Sequence, residues 1–330
     1  MSVLVTGGAG YIGSHMALEL LEAGERVVVL DDLSAGTRAL VPQDAEFIEG
    51  DAGDGALVAG LIARHGIGAV VHFAGSIVVE ESVADPLGYY LNNTVKSRAL
   101  IAAAVAGGVR HFIFSSTAAV YGMAGDAPIR EDAPLAPLSP YGASKLMTER
   151  MLADAGRAHG LAGVSLRYFN VAGADPQGRA GQVSRRATHL IKIACETALG
   201  KRSHMAVYGS DYPTPDGTCV RDYIQVTDLA RAHTAALAYL RAGGASDAFN
   251  CGYGRGFSVL QVIEAVKRAA GRDFDVRPGP RRAGDPAVLI AAPDRIRARL
   301  GWTPRFDALD TIVTQALAWE RSLPAPSSSG

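Results

Sequence analysis

A doubly wound parallel α/β sheet, joined to a smaller mixed α/β domain in the C-terminal half, is the fold that this 330-residue sequence predicts. Three observations predict it. Short apolar runs alternate with helical patterns of roughly 10–15 residues over the first half, as βαβ units do. The first run meets a glycine turn and a helix, and the second ends on adjacent carboxylates. After Arg167 the alternation gives way to turn-rich loops and shorter elements.

Taken in order, Ser2–Thr6 reads as a buried, valine-containing strand closed by Gly7-Gly8-Ala9-Gly10-Tyr11-Ile12-Gly13. A helix follows with Met16, Leu20 and Leu21 on one face and stops at Gly24; Val27–Leu30 is the next strand, ending at Asp31-Asp32. Strand, glycine turn, helix, strand and acid together form the Rossmann-type dinucleotide context. The glycines let a pyrophosphate approach the backbone, and the helix start at Tyr11 and Ile12 favours its charge. Asp31 stands 18 positions after Gly13. A carboxylate there binds the adenosine ribose hydroxyls and repels a 2′-phosphate, so NAD is expected over NADP.

The pattern continues with a strand at Ala45–Glu49 that leads to Gly50-Asp51-Ala52, placing Asp51 near the adenine edge. Leu57–His65 is helical. Ala69–Phe73 is an apolar strand followed by Ala74-Gly75, small enough for a cofactor to lie on the backbone. A helix from about Pro86 to Ala106 carries Asn92 and Asn93. His111–Phe114 is the next strand and ends in Ser115-Ser116-Thr117.

Ser139-Pro140-Tyr141-Gly142-Ala143-Ser144-Lys145 opens a long helix reaching about Ala158. Tyr141 and Lys145 are four residues apart and share a face, with roughly 6 Å of axial rise between them. A free phenol titrates near ~10 and is a poor base at neutral pH. A neighbouring ammonium is expected to lower that pKa and make Tyr141 a usable general base. Thr117, at the carboxyl end of its strand, brings a hydroxyl to the same place.

Gly7, Gly10 and Gly13, Ser115-Ser116-Thr117 and Tyr141-x-x-x-Lys145 together resemble the extended short-chain dehydrogenase/reductase family. Further runs are similar to its UDP-sugar 4-epimerase branch: His72–Gly75, Glu81–Val83, Arg167-Tyr168-Phe169-Asn170, Val220–Ile224 and Gly284-Asp285. The resemblance covers residue 3 to about residue 320. It implies epimerisation at C4 of a UDP-hexose, UDP-glucose to and from UDP-galactose, through a transient 4-keto sugar with NAD as cofactor. Tyr141 would be the base, Lys145 would bind the nicotinamide ribose, and Thr117 would bond the reacting hydroxyl. Phe73, Asn92, Ser115 and Phe169 would line the cofactor. The resemblance also implies substrate contacts from Asn170, His189, Leu190, Ala206, Tyr208, Arg221, Arg282, Asp285 and Leu289. Relatives that eliminate water carry an acidic pair after the threonine; Ala118 and Ala119 stand here, which disfavours dehydration. A 4-epimerase of another UDP-sugar (UDP-xylose, UDP-arabinose or UDP-glucuronate) and a catalytically silent NAD-sensing module remain the alternatives.

The expected division is a NAD-binding part at 1–170, with segments near 221–255 returning to it, and a substrate part at 171–330. Residues 323–330 read as a disordered tail. The planar guanidinium groups of Arg221 and Arg282 suit a diphosphate. Departures from the family pattern are Ile77 for a lysine, His189 for an asparagine, Gln225 for a histidine, and Leu289 for a tyrosine beside the sugar. Leucine there, without a hydrogen-bonding group, implies preference for plain over N-acetylated sugars.

Composition bounds the partners. A formal net charge of −1 points to neither nucleic acid nor an acidic membrane surface. Three separated cysteines without a CxxC pair fit a reducing, cytoplasmic setting and no metal site. The helices at 86–106 and 141–158 resemble the pair through which family members form a four-helix-bundle homodimer, with Ala99, Ala102, Ala103 and Ala106 permitting close approach.

Overall fold

The computed structural model describes residues 1–125, 127–183, 188–282 and 284–324. Six strands from the first half are β1 (Ser2–Thr6), β2 (Arg26–Asp31), β3 (Glu46–Glu49), β4 (Ile67–His72), β5 (His111–Thr117) and β6 (Ala162–Tyr168). The next three, β7 (Asn170–Ala172), β8 (Met205–Tyr208) and β9 (Val220–Gln225), lie outside the main sheet. The chain then returns with β10 (Asp247–Cys251), which pairs with β6 and completes a seven-stranded parallel sheet in the order β10-β6-β5-β4-β1-β2-β3. Strand order reverses between β1 and β4, and at that switch point the carboxyl ends open a crevice.

Both faces of this sheet are covered, which explains why its strands read as continuous apolar runs. Val3 and Val5 enter one core with Met16, Leu20 and Leu229, while Leu4 enters the other with Val58, Leu100 and Phe112. Helices Tyr11–Glu22 and Val226–Arg241 pack together on the first side, and Gly55–His65 with Lys96–Ala106 on the second. β9 centres a smaller group: β11 (Gly256–Ser258) pairs with it antiparallel, β7 and β13 (Val288–Leu289) parallel. β12 (Val276–Gly279) pairs with β8.

Helix Val226–Arg241 is capped by Gln225, whose side-chain oxygen accepts from the Thr227 and Asp228 N–H groups. One local detail differs from the sequence reading. The segment from Pro86 to Ala106 is interrupted by a π turn at Tyr90–Val95, which turns Asn93 into the interior at 2% exposure. The last helix, Leu309–Ser322, is followed by Leu323 and Pro324; most of the expected tail, residues 325–330, lies outside the described residues. Among the described residues no helix is long and apolar enough to cross a membrane, and no cluster of metal-ligating side chains occurs.

Candidate active site

The glycine turn stands at the carboxyl ends of β1 and β4. A Cβ on Gly13 would fall 2.2 Å from the Gly7 carbonyl oxygen, and one on Gly7, at φ +70°, would fall 2.6 Å from the Ala74 nitrogen. These contacts hold the helix start tight against the strand ends. Among the described residues no side chain caps helix Tyr11–Glu22, and its first turn carries no acid. An uncapped helix start lined by backbone N–H groups is what a pyrophosphate requires, so the residues present fit a dinucleotide. Asp31 is 7% exposed and accepts the Ala9 and Leu33 N–H groups, each at 2.9 Å, one on each carboxylate oxygen. Burial pushes its carboxyl above the ordinary range, with those two donors opposing. Each oxygen keeps acceptor capacity for a ribose hydroxyl.

The other cofactor candidates divide. Asp32 is exposed and accepts the Ser34 N–H at 3.0 Å, capping its own turn. The Tyr11 hydroxyl donates to the Gly173 carbonyl at 2.7 Å, so its ring braces the glycine turn against β7. Asp51 meets Lys96 Nζ at 2.7 Å; burial raises its carboxyl, but Lys96 and the Gly53 N–H outweigh it and hold the group low. Ala52 is buried in the second core, and Phe73 lies beside His233 with centroids 4.8 Å apart. Asn92 donates to the Ser76 hydroxyl at 2.9 Å, whereas buried Asn93 accepts the Ser76 N–H at 2.8 Å and stands beside Gly75. Asn93 is therefore the asparagine nearer the strand-end backbone, which the π turn explains.

Thr117, Tyr141 and Lys145 do converge, at 7%, 7% and 3% exposure. Ser139 caps helix Pro140–His159 through the Gly142 N–H at 3.2 Å, with Pro140 at the first helical position, which starts the helix at the height of the β5 end. Lys145 Nζ donates to the Ser115 carbonyl at 3.0 Å and lies 4.9 Å over the Phe114 ring. Burial depresses its pKa to about 8. The Thr117 oxygen accepts the Ala119 N–H at 3.1 Å, leaving its proton to donate. That hydroxyl favours the Tyr141 phenolate, but burial is the larger effect and pushes the phenol up. The expected lowering of Tyr141 by Lys145 is thus not the direction found here, because the ammonium is turned to Ser115 and the phenol is dry. Ser115 donates to the Tyr168 hydroxyl at 2.9 Å, and Phe169 is buried beside Ala118 and Leu146.

The substrate candidates form two groups. Asn170, His189 and Leu190 line one cavity together with Gln182 and Trp319. Gln182 Nε2 lies 2.8 Å from His189 Nδ1, and burial lowers the imidazole pKa, so the ring is neutral at pH 7 with its tautomer set by the amide. In the second group Arg221 pairs with Asp285, and Leu289 is the registered partner of Arg221. Arg282 lies 4.4 Å over the exposed Tyr208 ring, with its Nε 3.8 Å from Glu80. Ala206 and Tyr208 alternate onto one face of β8. Sequence reasoning assigned no role to Glu149 or Arg167, which form a buried ion pair next to Ser116. The spacing Tyr141, Lys145, Glu149 on one helix stripe was the available signal.

Comparison with known proteins matches residues 3–252 to the NAD dependent epimerase/dehydratase family. A UDP-glucose 4-epimerase of Azospirillum brasilense is 57% identical over 321 residues, covering 97% of this chain and 92% of that protein. The crystal structure of UDP-glucose 4-epimerase from Brucella ovis in complex with NAD superposes with a TM-score of 0.93 at 44% identity, covering 96% of this chain and 97% of that one. The UDP-Glc/GlcNAc 4-epimerase of Campylobacter jejuni gives a TM-score of 0.85 at 47% identity, covering 98% and 99%.

The depressed Lys145 pKa has a measurable consequence. Between about 8 and the ordinary 10.5, the unfolded chain holds a proton that the folded chain has released, so Lys145 makes stability rise with pH across that window. Below it, the buried charge costs on the order of 3 kcal/mol. In nucleotide-free protein, Lys145→Met should raise the thermal midpoint at pH 7, and the gain should fade as pH climbs through the window. A gain independent of pH would contradict a buried ammonium.

Proposed function

The chain belongs to the NAD dependent epimerase/dehydratase family, and from that membership and the site we propose that it interconverts UDP-glucose and UDP-galactose. The observation that carries this reading is the meeting of Thr117, Tyr141 and Lys145 beside an uncapped glycine-turn helix with Asp31 behind it. NAD, when bound, supplies the hydride acceptor and donor for C4 of the sugar. Glycine-turn N–H groups hold its pyrophosphate and Asp31 its ribose. Tyr141 takes the O4 proton as the carbonyl forms and returns it after the 4-keto sugar has turned its other face. Thr117 donates to the oxygen that carries the developing charge, and Lys145 holds the nicotinamide ribose beside it. Neither Ala118 nor Ala119 can move a proton, so water is not eliminated. The large sheet with its returning helix Val226–Arg241 holds the cofactor, and the groups around β8 and β9 hold the nucleotide. Arg221 and Arg282 bind the diphosphate, and Asn170, His189 and Leu190 the uridine. Three buried, unbridged cysteines suit a reducing cytoplasm.

Incubation with UDP-galactose, without added reductant, should yield UDP-glucose. Tyr141→Phe should retain NAD and lose at least ~100-fold in turnover, as for removal of a general base. Normal turnover by that variant would remove Tyr141 from the role.

Leu289 sits against the cluster of Ala118, Tyr121 and Phe169 that backs Thr117. From that place it limits the substituent at sugar C2. N-acetylated sugars should turn over roughly 10–200-fold more slowly than plain ones. Leu289→Tyr should widen that gap and Leu289→Cys narrow it; equal specificity constants in the parent would refute a gatekeeper at this position.

The working unit is a homodimer. Leu87, Leu91 and Val95 recur every fourth residue and are 78%, 57% and 53% exposed, and Met147 on helix Pro140–His159 is 42% exposed. Of the alanines expected to face a partner, Ala103 is buried inside the chain and Ala99 partly so, while Ala102 and Ala106 are exposed. Light scattering should give twice the monomer mass at micromolar concentration, and Leu91→Glu should halve it. A monomeric parent would sink this proposal.

A further inference from the structure

Three consecutive residues at the end of β5 each engage the stripe of helix Pro140–His159 that carries Tyr141, Lys145 and Glu149. The Ser115 carbonyl takes Lys145 and the Ser116 hydroxyl donates to Glu149. The Thr117 hydroxyl faces the Tyr141 phenol and favours its phenolate. Glu149 is in turn gripped by Arg167 of β6: Nε lies 3.0 Å and 3.2 Å from its two oxygens and Nη2 2.7 Å from one of them. The two side chains are 7% and 6% exposed. Arg167 Nη1 also donates to the Tyr121 hydroxyl at 2.9 Å, and its guanidinium lies 5.1 Å over the Tyr121 ring. Tyr121 passes the chain on, donating to Asn250 Oδ1 of β10 at 2.7 Å.

Thr117 therefore lies between two residues that one ion pair holds, Ser116 through Glu149 and Tyr121 through Arg167. The same carboxylate belongs to the helix that carries Tyr141. On the epimerase reading above, we propose that the Glu149–Arg167 pair is a positioning device that sets Thr117 against Tyr141 without touching substrate or cofactor. Stability alone does not account for it, since well-packed apolar pairs commonly replace buried ion pairs at no loss. A forked guanidinium–carboxylate pair fixes direction as well as distance, which an apolar contact does not. Displacement of a catalytic group by about 1 Å is enough to cost ~100-fold in rate.

The test is the double variant Glu149→Leu/Arg167→Met, which removes both charges and leaves neither unpaired. It should fold with a thermal midpoint within ~5 °C of the parent, keep its NAD, and hold the KM for UDP-galactose within about 3-fold while kcat falls by about 30-fold or more. Thr117→Ala should then cost less than about 3-fold in the double variant although it costs far more in the parent, because both changes act through one hydroxyl. If the double variant does not fold, Ser116→Ala and Tyr121→Phe decide, each expected to lower kcat about 3–10-fold at unchanged KM. Parental kcat in these variants, or a fall only in step with lost NAD, overturns the device. A parent that fails to epimerise overturns the function instead.

Discussion

Lys145 holds an ammonium at 3% exposure with no carboxylate in ion-pair range among the described residues, and much of the site follows from keeping that charge tolerable. Its support is a carbonyl, Ser115, and the face of Phe114, both supplied by β5. Pairing of β5 with β4 ends at Phe114, one residue before Ser115, and the helix must start at Ser139 for the lysine to reach that carbonyl. His72 is fixed between the Thr6 and Ser97 hydroxyls and is depressed to about 3, by burial first and by Lys145 second. It stays neutral, so no second cation competes in the same dry space.

Several other buried charges are paired or saturated by hydrogen bonds. Asp222, beside Arg221, accepts the N–H groups of Tyr253, Gly254 and Ala291, tying β9 to the segment that follows Leu289. Burial lifts it to about 6 against those donors. Asp228 accepts from the Tyr253 hydroxyl and the Arg305 and Phe306 N–H groups, which anchors the late chain to helix Val226–Arg241. Lys192 and Lys201 both meet Glu320 and fasten the last helix to Leu190–Ala198, next to the cavity of Asn170 and His189. The segments that carry Arg221 and the Asn170–His189 cavity are thus held by buried carboxylates. Unsatisfied, each would cost more than it contributes.

What the sequence by itself determined is whatever depends on near neighbours. The glycine turn, the acid at Asp31, the valine-rich strands, the Ser139-Pro140 helix start and the Tyr141–Lys145 spacing all arise within about twenty residues, where backbone sterics and helical period decide the outcome. Tertiary structure alone decided the rest. Asn93 and not Asn92 turned inward because a π turn added a residue, a choice enforced by Ser76, Ser144 and Gly75 from distant segments. β10 joined the main sheet after β7, β8 and β9 had left it. Tyr141 rose where the Lys145 spacing led one to expect a fall, because a pKa answers to water excluded from all sides and not to one neighbour. The Glu149–Arg167 pair joins residues 18 apart through a helix–strand connection. The helix stripe marks Glu149, but no local pattern names Arg167 as its partner, since the contact exists only once the sheet has closed and the cost of burying a charge has to be met by whichever partner the fold brings near.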